Sequence, residues 1–340
     1  MAVVKADGYG HGAVTVAKAA LRGGASSLGV ATLQEGLELR AAGISASILL
    51  LSALHGADEL ACCHAHMLMP TLSSLEEANL CDRISADRGG KPFPVQLKVD
   101  TGMSRLGADW RIGAELVQNI RALPNLQLVG LYSHLACSDL EDQTTTRLQH
   151  ERLNAVINAL PDQGRDLCCH LANSAGTLHG QELHLDMVRV GLALYGQRSA
   201  RHLGEELRLQ PALAVRARIS LIRDVPAGTG VSYGHRHITA TKSRLAVVAI
   251  GYADGVIRAL SGRIHALHRG KPLPQVGAIT MDQIVLDASG DLDLRIGDTV
   301  TLLGSDGGAS IEPQEWARHC DSITWEILCG FRKRLPRVEV

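Results

Sequence analysis

Over the first 200 of the 340 residues, short apolar, β-rich runs alternate with longer stretches of helical periodicity. Each pair takes ~30 residues or fewer, the scale of a βαβ unit. The runs are Ala2-Lys5, Leu28-Ala31, Ile48-Leu51, Met67-Met69, Val95-Val99, Gln127-Leu131, Leu167-Leu171 and Met187-Val190. Between them Gly12-Leu21, Leu33-Ala42, Leu75-Ser85, Trp110-Ala122 and Thr144-Leu160 predict helices, several closed by Gly23, Gly43, Pro124 or Pro161. Strands that alternate with helices form parallel sheets, and eight such units predict a closed barrel. The competing topology is a doubly wound open sheet. The turn Gly8-Tyr9-Gly10-His11-Gly12 lacks the G-x-G-x-x-G spacing of that fold, and the second strand carries no partner carboxylate.

After Gly196 the pattern changes. A polar stretch, Gln197-Gln210, is rich in Arg and Glu and closes at Pro211, as a domain junction does. Beyond it lie the β-type runs Ala212-Val225, Arg244-Gly251, Leu273-Ala288 and Asp298-Leu303, with short helices expected over Ile311-Cys320 and Thr324-Cys329. The expected fold is α/β: an N-terminal (β/α)8 TIM-type barrel over 1–197, followed by a C-terminal mainly-β domain over 198–340.

Composition adds exclusions. With 46% hydrophobic and 20% charged residues the chain reads as a globular protein. Its 34 basic and 35 acidic residues give a net charge of -1, so nothing draws it to nucleic acid or to an anionic membrane. The chain has no apolar run of roughly 18 residues and no secretory leader pattern, and a cytoplasmic location is expected. The eight cysteines include the adjacent pairs Cys62-Cys63 and Cys168-Cys169, which read as reduced thiols. His64, His66 and His170 lie beside these pairs, but no Cys-x-x-Cys spacing accompanies them and no metal is expected.

Catalytic groups of a barrel sit at the C-terminal ends of its strands. Those positions hold Lys5, Lys98, Arg105, His134, Asn173, Ser174 and Arg189, a sample rich in cations. Lys5 ends an apolar strand. A buried or cation-flanked amine loses basicity and becomes available for Schiff-base chemistry with an aldehyde. A lone lysine in that place would more often snorkel from the barrel end.

The segment Val4-Lys5-Ala6-Asp7-Gly8-Tyr9-Gly10-His11-Gly12 resembles the signature around the cofactor lysine of alanine racemases. Further segments resemble that family in the same order along nearly the whole chain. They are Leu97-Lys98-Val99-Asp100-Thr101-Gly102-Met103-Ser104-Arg105-Leu106-Gly107, Ser133-His134-Leu135-Ala136, Ala172-Asn173-Ser174-Ala175 and Val188-Arg189-Val190-Gly191. Gly230-Val231-Ser232-Tyr233-Gly234, Gly251-Tyr252-Ala253-Asp254-Gly255 and Thr280-Met281-Asp282-Gln283 follow in the second domain.

The resemblance implies pyridoxal 5'-phosphate as cofactor, held by Lys5, and racemisation of alanine that supplies D-alanine for peptidoglycan. It implies that Lys5 moves the α-proton on one face and Tyr233 on the other, because inversion needs removal on one side and delivery on the opposite one. Tyrosine is a poor base at its ordinary pKa of ~10, and His134 and Arg189 resemble the pair that favours its phenolate. Arg189 would also face the cofactor's pyridine nitrogen, to which a guanidinium gives no proton, so that proton return is favoured over transamination. Arg105 would contact the cofactor's phenolic oxygen and the substrate carboxylate. Lys98 resembles a lysine that can be carbamylated to orient that arginine; an unmodified lysine paired with a carboxylate is the alternative. Tyr9, Ser174, Gly191 and Leu192, with Asn173 beside them, match the phosphate-binding positions, and the Met281 backbone matches a ligand of the substrate carboxylate. Tyr252 would line the entry, with Asp282 and His11 structural. The resemblance also implies a homodimer in which Tyr233 and Met281 reach across from the partner subunit.

Two departures stand out. Family members carry a few tens of residues before the lysine motif, whereas Lys5 is the fifth residue here, so an upstream start or a shortened chain is expected. Near the C-terminus, Phe331-Arg332-Lys333-Arg334-Leu335-Pro336-Arg337 puts Lys333 where the family often has a tyrosine. That change leaves a serine or broader-specificity racemase as the alternative activity, since one hydroxyl is a small difference for a loose pocket to detect. A barrel-type decarboxylase is disfavoured by Arg189. A pyridoxal-phosphate carrier protein, the non-enzymatic rival, needs neither the β domain nor Tyr233.

Overall fold

The computed structural model describes residues 1–54 and 56–339. They form two compact units, Met1–Gln210 and a second beginning at Pro211.

In the first unit the strands are β1 (Ala2–Val3), β2 (Ser27–Val30), β3 (Ser47–Leu50), β4 (Thr71–Leu72), β5 (Phe93–Asp100), β6 (Ala108–Asp109), β7 (Leu126–Tyr132) and β8 (Cys168–His170). The helical segments are α1 (Lys5–Tyr9), α2 (Ala13–Arg22), α3 (Leu33–Ala41), α4 (Ala57–Ala65), α5 (Leu75–Arg88), α6 (Gly113–Arg121), α7 (Thr144–Asn158) and α8 (Ser174–His179). Every strand pairing is parallel, β1-β2-β3 on one side and β4-β5-β7-β8 on the other, with the short β6 beside β5. A bridge from Leu49 to Met69 joins the two groups, and one from Ala2 to Val190 closes the ring. The eighth run therefore completes the barrel through single bonds, Val3 N–H to Val190 O and Arg189 N–H to Ala172 O, without becoming a regular strand.

Two expectations need correction. The fourth run was expected over Met67-Met69, yet Met67 is 74% exposed with φ +53° and ends the turn after α4, so pairing starts at Met69. The boundary expected at 197/198 also moves. Arg198 donates to Gly204 O, Leu203 is 2% exposed, and Gly204 lies against the Leu178 side chain of α8, so the polar stretch is part of the first unit. Helices α4 and α8 were not anticipated. In α4 the Cys62-Cys63-His64 cluster disguises an ordinary half-buried helix, with Cys63 fully buried. The eight cysteines are all unbridged.

The barrel strands keep period-2 alternation, but with two unlike faces. Val95, Leu97 and Val99 join the apolar cluster that contains Leu116, Val117 and Leu153 of the surrounding helices. The opposite face of the barrel carries Thr71, Gln96, Lys98, Tyr132, His170 and Arg189, all buried.

Immediately after Lys5 the chain makes a left-handed turn, with φ +53° at Ala6, +54° at Asp7, +62° at Gly8 and +49° at Tyr9. Left-handed residues other than glycine cost roughly 1–2 kcal/mol each, so the turn must be held from outside. Glu35 in the first turn of α3 does this. Its carboxylate accepts from Ala6 N–H at 2.7 Å, Ala31 N–H at 2.7 Å and Thr32 N–H at 3.1 Å, the last as half of a capping box with Thr32. Asp7 adds a bond from Ala13 N–H at 2.9 Å.

In the second unit the strands are β9 (Val215–Val225), β10 (Gly230–Val231), β11 (His237–Ile238), β12 (Ser243–Val248), β13 (His265–His268), β14 (Lys271–Val276), β15 (Ile284–Asp287), β16 (Thr299–Asp306) and β17 (Ala309–Ile311), followed by helices α9 (Pro313–His319) and α10 (Thr324–Gly330). The large sheet is antiparallel in the order β13-β14-β15-β12-β9-β16-β17, and β13 also pairs with β16 at Leu267–Thr301, so the sheet curls back on itself. Trp316, Phe331, Leu302 and Leu286 are in its core. The single expected run Leu273-Ala288 is two strands, β14 and β15, with Met281 in the loop between them.

Glu35→Ala is expected to lose bonds from three backbone N–H groups to one carboxylate, lowering unfolding free energy by about 2 kcal/mol or more in thermal or urea melts. Glu35→Gln is expected to fall between the two.

Candidate active site

Strand β5 delivers Lys98 into the barrel, 6% exposed, and the turn after it carries Arg105 at the surface. That turn is folded by Asp100, whose Oδ1 accepts from Gly102 N–H at 2.9 Å and Met103 N–H at 2.8 Å. At Gly107 an added Cβ would lie 2.8 Å from Asp100 N, so only glycine lets the chain return along the strand. Strand β7 ends just before His134. Gln149 of α7, fully buried, fixes the segment that bears it by donating to His134 O at 2.9 Å and accepting from Ala136 N–H at 2.9 Å.

Arg189 is the hub, only 3% exposed. Its Nη1 donates to His170 Nδ1 at 2.7 Å. Its Nη2 faces Ser133 O at 2.6 Å, Leu171 O at 2.9 Å and His134 Nδ1 at 3.1 Å. All of these acceptors are neutral. The guanidinium also sits 5.1 Å over the Tyr132 ring, and Lys98 Nζ lies 5.6 Å from the same ring. Tyr132 stacks on His170 at 4.7 Å and 10°, while its hydroxyl bonds Thr71 Oγ1 at 2.7 Å.

Burial lowers the pKa of Lys98, His134, His170 and Arg189, and crowded positive charge adds to the effect at the first three, whereas burial raises the Tyr132 phenol to about 12. Burial first, then the charges of Arg189 and Arg105, lowers the Lys98 ammonium to about 8, with Lys5 adding to the effect and Asp100 opposing it. The His134 imidazole is held well below 6.5 by burial and then by Arg189, Lys98, Arg105 and Lys5. His170 is likewise well below 6.5, through burial and Arg189. Burial brings Arg189 down to about 10, which still leaves it charged at neutral pH. Lys5, half-buried, is thus electrostatically within one cluster with Lys98, Arg105, His134 and Arg189.

A second group adjoins that cluster in sequence. The Tyr9 hydroxyl lies where a Cβ on Gly191 would approach within 2.6 Å, and Ser174 Oγ accepts from Gly191 N–H at 2.9 Å and Ala193 N–H at 3.2 Å. Tyr9, Ser174, Gly191 and Leu192 are buried together at the head of a short 3-10 turn, Leu192–Tyr195. Asn173 caps α8, its Oδ1 accepting from Gly176 N–H and Ser138 Oγ–H, both at 2.9 Å.

Tyr233 and Met281 belong to the second unit. Tyr233, 75% exposed, stands at the tip of the β10–β11 hairpin. The preceding Ser232 has φ +61° and bonds Ala278 O at 2.7 Å. A shallow pocket there is lined by Tyr233, His235, Val247, Thr280 and Gln283. Met281 is 52% exposed and Tyr252 43%. Asp282 pairs with Arg334 at 2.8 Å, and His11 is buried with its Nδ1 at 2.9 Å from Tyr9 O.

Sequence reasoning missed Gln96, Tyr132, His170 and Gln149. Alternation with Lys98 and His134 points to Gln96 and Tyr132, each two residues earlier on its strand. Nothing local marks Gln149, which acts from a helix.

The fold and the cation-lined strand ends define a parallel barrel with a cluster of cationic groups, followed along the chain by a mainly-β domain. Residues 1–199 match the family model of the alanine racemase N-terminal domain, and residues 212–339 that of the C-terminal domain. The chain is 56% identical over 344 residues to an alanine racemase of Prochlorococcus marinus, covering 100% of this chain and 89% of that one. It is 51% identical to one of Synechocystis, covering 99% and 91%. Among solved structures, the alanine racemase of the D-cycloserine producer Streptomyces lavendulae superposes with a TM-score of 0.91 at 38% identity, covering 99% and 89%. That of Clostridium difficile 630 gives 0.92 at 32%, covering 98% and 86%. The chain belongs to the alanine racemase family and is an isomerase.

The depressed histidines predict acid sensitivity. Their folded pKa values lie below the unfolded value, so between the two the unfolded chain binds more protons and stability rises with pH. Unfolding free energy is therefore expected to fall as pH drops below about 6.5. NMR titration is expected to show His134 and His170 still neutral at about pH 6.

Proposed function

We propose that the chain interconverts L- and D-alanine with pyridoxal 5'-phosphate, using Lys5 and Tyr233 as acid–base groups on opposite faces of the substrate. The observation that carries the reading is the gathering of Lys5, Lys98, Arg105 and His134 around an Arg189 whose acceptors are all neutral. The residues fit the cofactor. The buried hydroxyls of Tyr9 and Ser174 beside the backbone of Gly191 and Leu192 offer a phosphate donors without a counter-charge, with Asn173 fixing the helix that carries Ser174. Lys5 would attach it covalently. When bound, the cofactor delocalises the electron pair left at the substrate's α-carbon.

The chain's own groups do the rest. Lys5 and Tyr233 each remove or return the α-proton. Arg189 donates hydrogen bonds but retains its protons, which limits how far electron density is drawn from the α-carbon and favours proton return. His134, neutral beside Arg189, adds no charge of its own, and with Arg189 it resembles the family pair that favours the phenolate of Tyr233. Arg105 and the Met281 backbone hold the substrate carboxylate. Lys98, with its ammonium near 8, is largely neutral in mildly alkaline solution. Its lone pair can then add to carbon dioxide, forming an N–C bond, losing a proton and placing a carbamate near Arg105. A homodimer in which Tyr233 and Met281 serve the partner's barrel, a cytoplasmic location, and D-alanine supply for peptidoglycan follow from the family resemblance. Lys333, in the place of a tyrosine, would relax strict selection of alanine and let serine be tolerated.

In deuterated buffer L-alanine is expected to exchange its α-proton and become racemic. Tyr233→Phe is expected to lower racemisation on the order of 10²–10⁴-fold while the cofactor still binds. Unchanged rates in both directions would remove Tyr233 from the mechanism. With ¹³C-labelled bicarbonate at about pH 8, a carbamate resonance is expected that disappears in Lys98→Arg.

A further inference from the structure

Arginine has donors only. His170 Nδ1, 2.7 Å from Arg189 Nη1, must therefore be an acceptor, and the ring's proton must be on Nε2. That proton needs an acceptor of its own inside the barrel, where His170 has no exposed surface. Gln96 Oε1 is 2.8 Å from Nε2. Gln96 is itself 5% exposed and closely confined: a Cβ on Gly130 would come within 2.9 Å of its Cδ. The face of the ring is covered by Tyr132, stacked at 4.7 Å.

The identity of that acceptor decides the ring's charge. A carboxylate at this point would stabilise a second ring proton, giving an imidazolium whose Nδ1–H points at Arg189. An apolar side chain would leave Nε2–H buried without a partner. A glutamine accepts the bond and adds no charge. We propose that Gln96 is a positioning residue that holds His170 in its neutral Nε2–H form, reserving the Nδ1 lone pair for Arg189 and so fixing the guanidinium that serves the reaction. The last clause rests on the role given to Arg189 above; the hold on His170 does not.

The test is ¹⁵N NMR of histidine-labelled protein with the cofactor bound, alongside pH profiles of racemisation, on the wild type, Gln96→Glu and Gln96→Leu. In the wild type, His170 is expected to show a pyrrole-type Nε2 and a pyridine-type Nδ1 from about pH 8 down to about pH 6. In Gln96→Glu, His170 is expected to take up a proton within that range, and activity to fall on the acid side where the wild type holds its rate. Gln96→Leu is expected to lose about tenfold or more in kcat at every pH, with the folded state confirmed by its melting curve. A wild-type His170 protonated on Nδ1, or a Gln96→Glu protein with unaltered His170 titration, would overturn the proposal. If His170 titrates as expected in Gln96→Glu while racemisation is unchanged, the role of Arg189 in the reaction fails and the Gln96–His170 coupling stands.

Discussion

A guanidinium enclosed inside a parallel barrel dictates its surroundings. Arg189 stays charged even with its pKa lowered to about 10, and every group that touches it must accept. The structure meets that demand with two backbone carbonyls, two imidazoles and one aromatic face. Because these partners are neutral, the positive charge is solvated but not cancelled, and it is felt by Lys98 and His134. A carboxylate in the same place would have made a conventional buried ion pair and removed the part of those shifts that Arg189 contributes, leaving the larger part that comes from burial.

The consequences run outward through the fold. The barrel interior gives up apolar packing on one strand face so that Tyr132 and His170 can meet the guanidinium, with Gln96 behind His170 and Lys98 over the Tyr132 ring, while Val95, Leu97 and Val99 pack towards the outer helices. The loops are held just as closely. Gln149 fixes the segment with His134, Asp100 folds the turn before Arg105, and Glu35 stabilises a left-handed turn directly behind Lys5. Positioning by rigid neighbours is what lets several weakly basic groups act together.

Much of this was legible in the residues. The strand–helix rhythm marked the barrel runs, with the fourth set a few residues early, because buried parallel strands keep enough apolar residues to stand out even where one face is polar. Lys98, His134 and Arg189, which the structure brings into one electrostatic cluster, stand in short motifs at strand ends. The fourth run was misplaced by a few residues because Met67-Leu68-Met69 looks like a strand, while Pro70, with no N–H of its own, sits between the first bridge and the start of β4. The junction was set too early, since polarity alone cannot show that Leu203 is buried and Arg198 is tied to Gly204. The left-handed turn after Lys5 was invisible, being held by Glu35 some thirty residues away in sequence.

The arrangement of donors around Arg189 is the centre of the account, and Arg189→Lys probes it most directly because charge is kept while the planar fork is lost. One ammonium cannot reach Ser133 O, Leu171 O, His170 and His134 together. Melting and steady-state racemisation measured side by side are expected to show a loss of about 2 kcal/mol or more in stability and a fall in kcat on the order of 10²-fold. A variant that melts and turns over like the wild type would show that charge alone suffices, and would contradict the account.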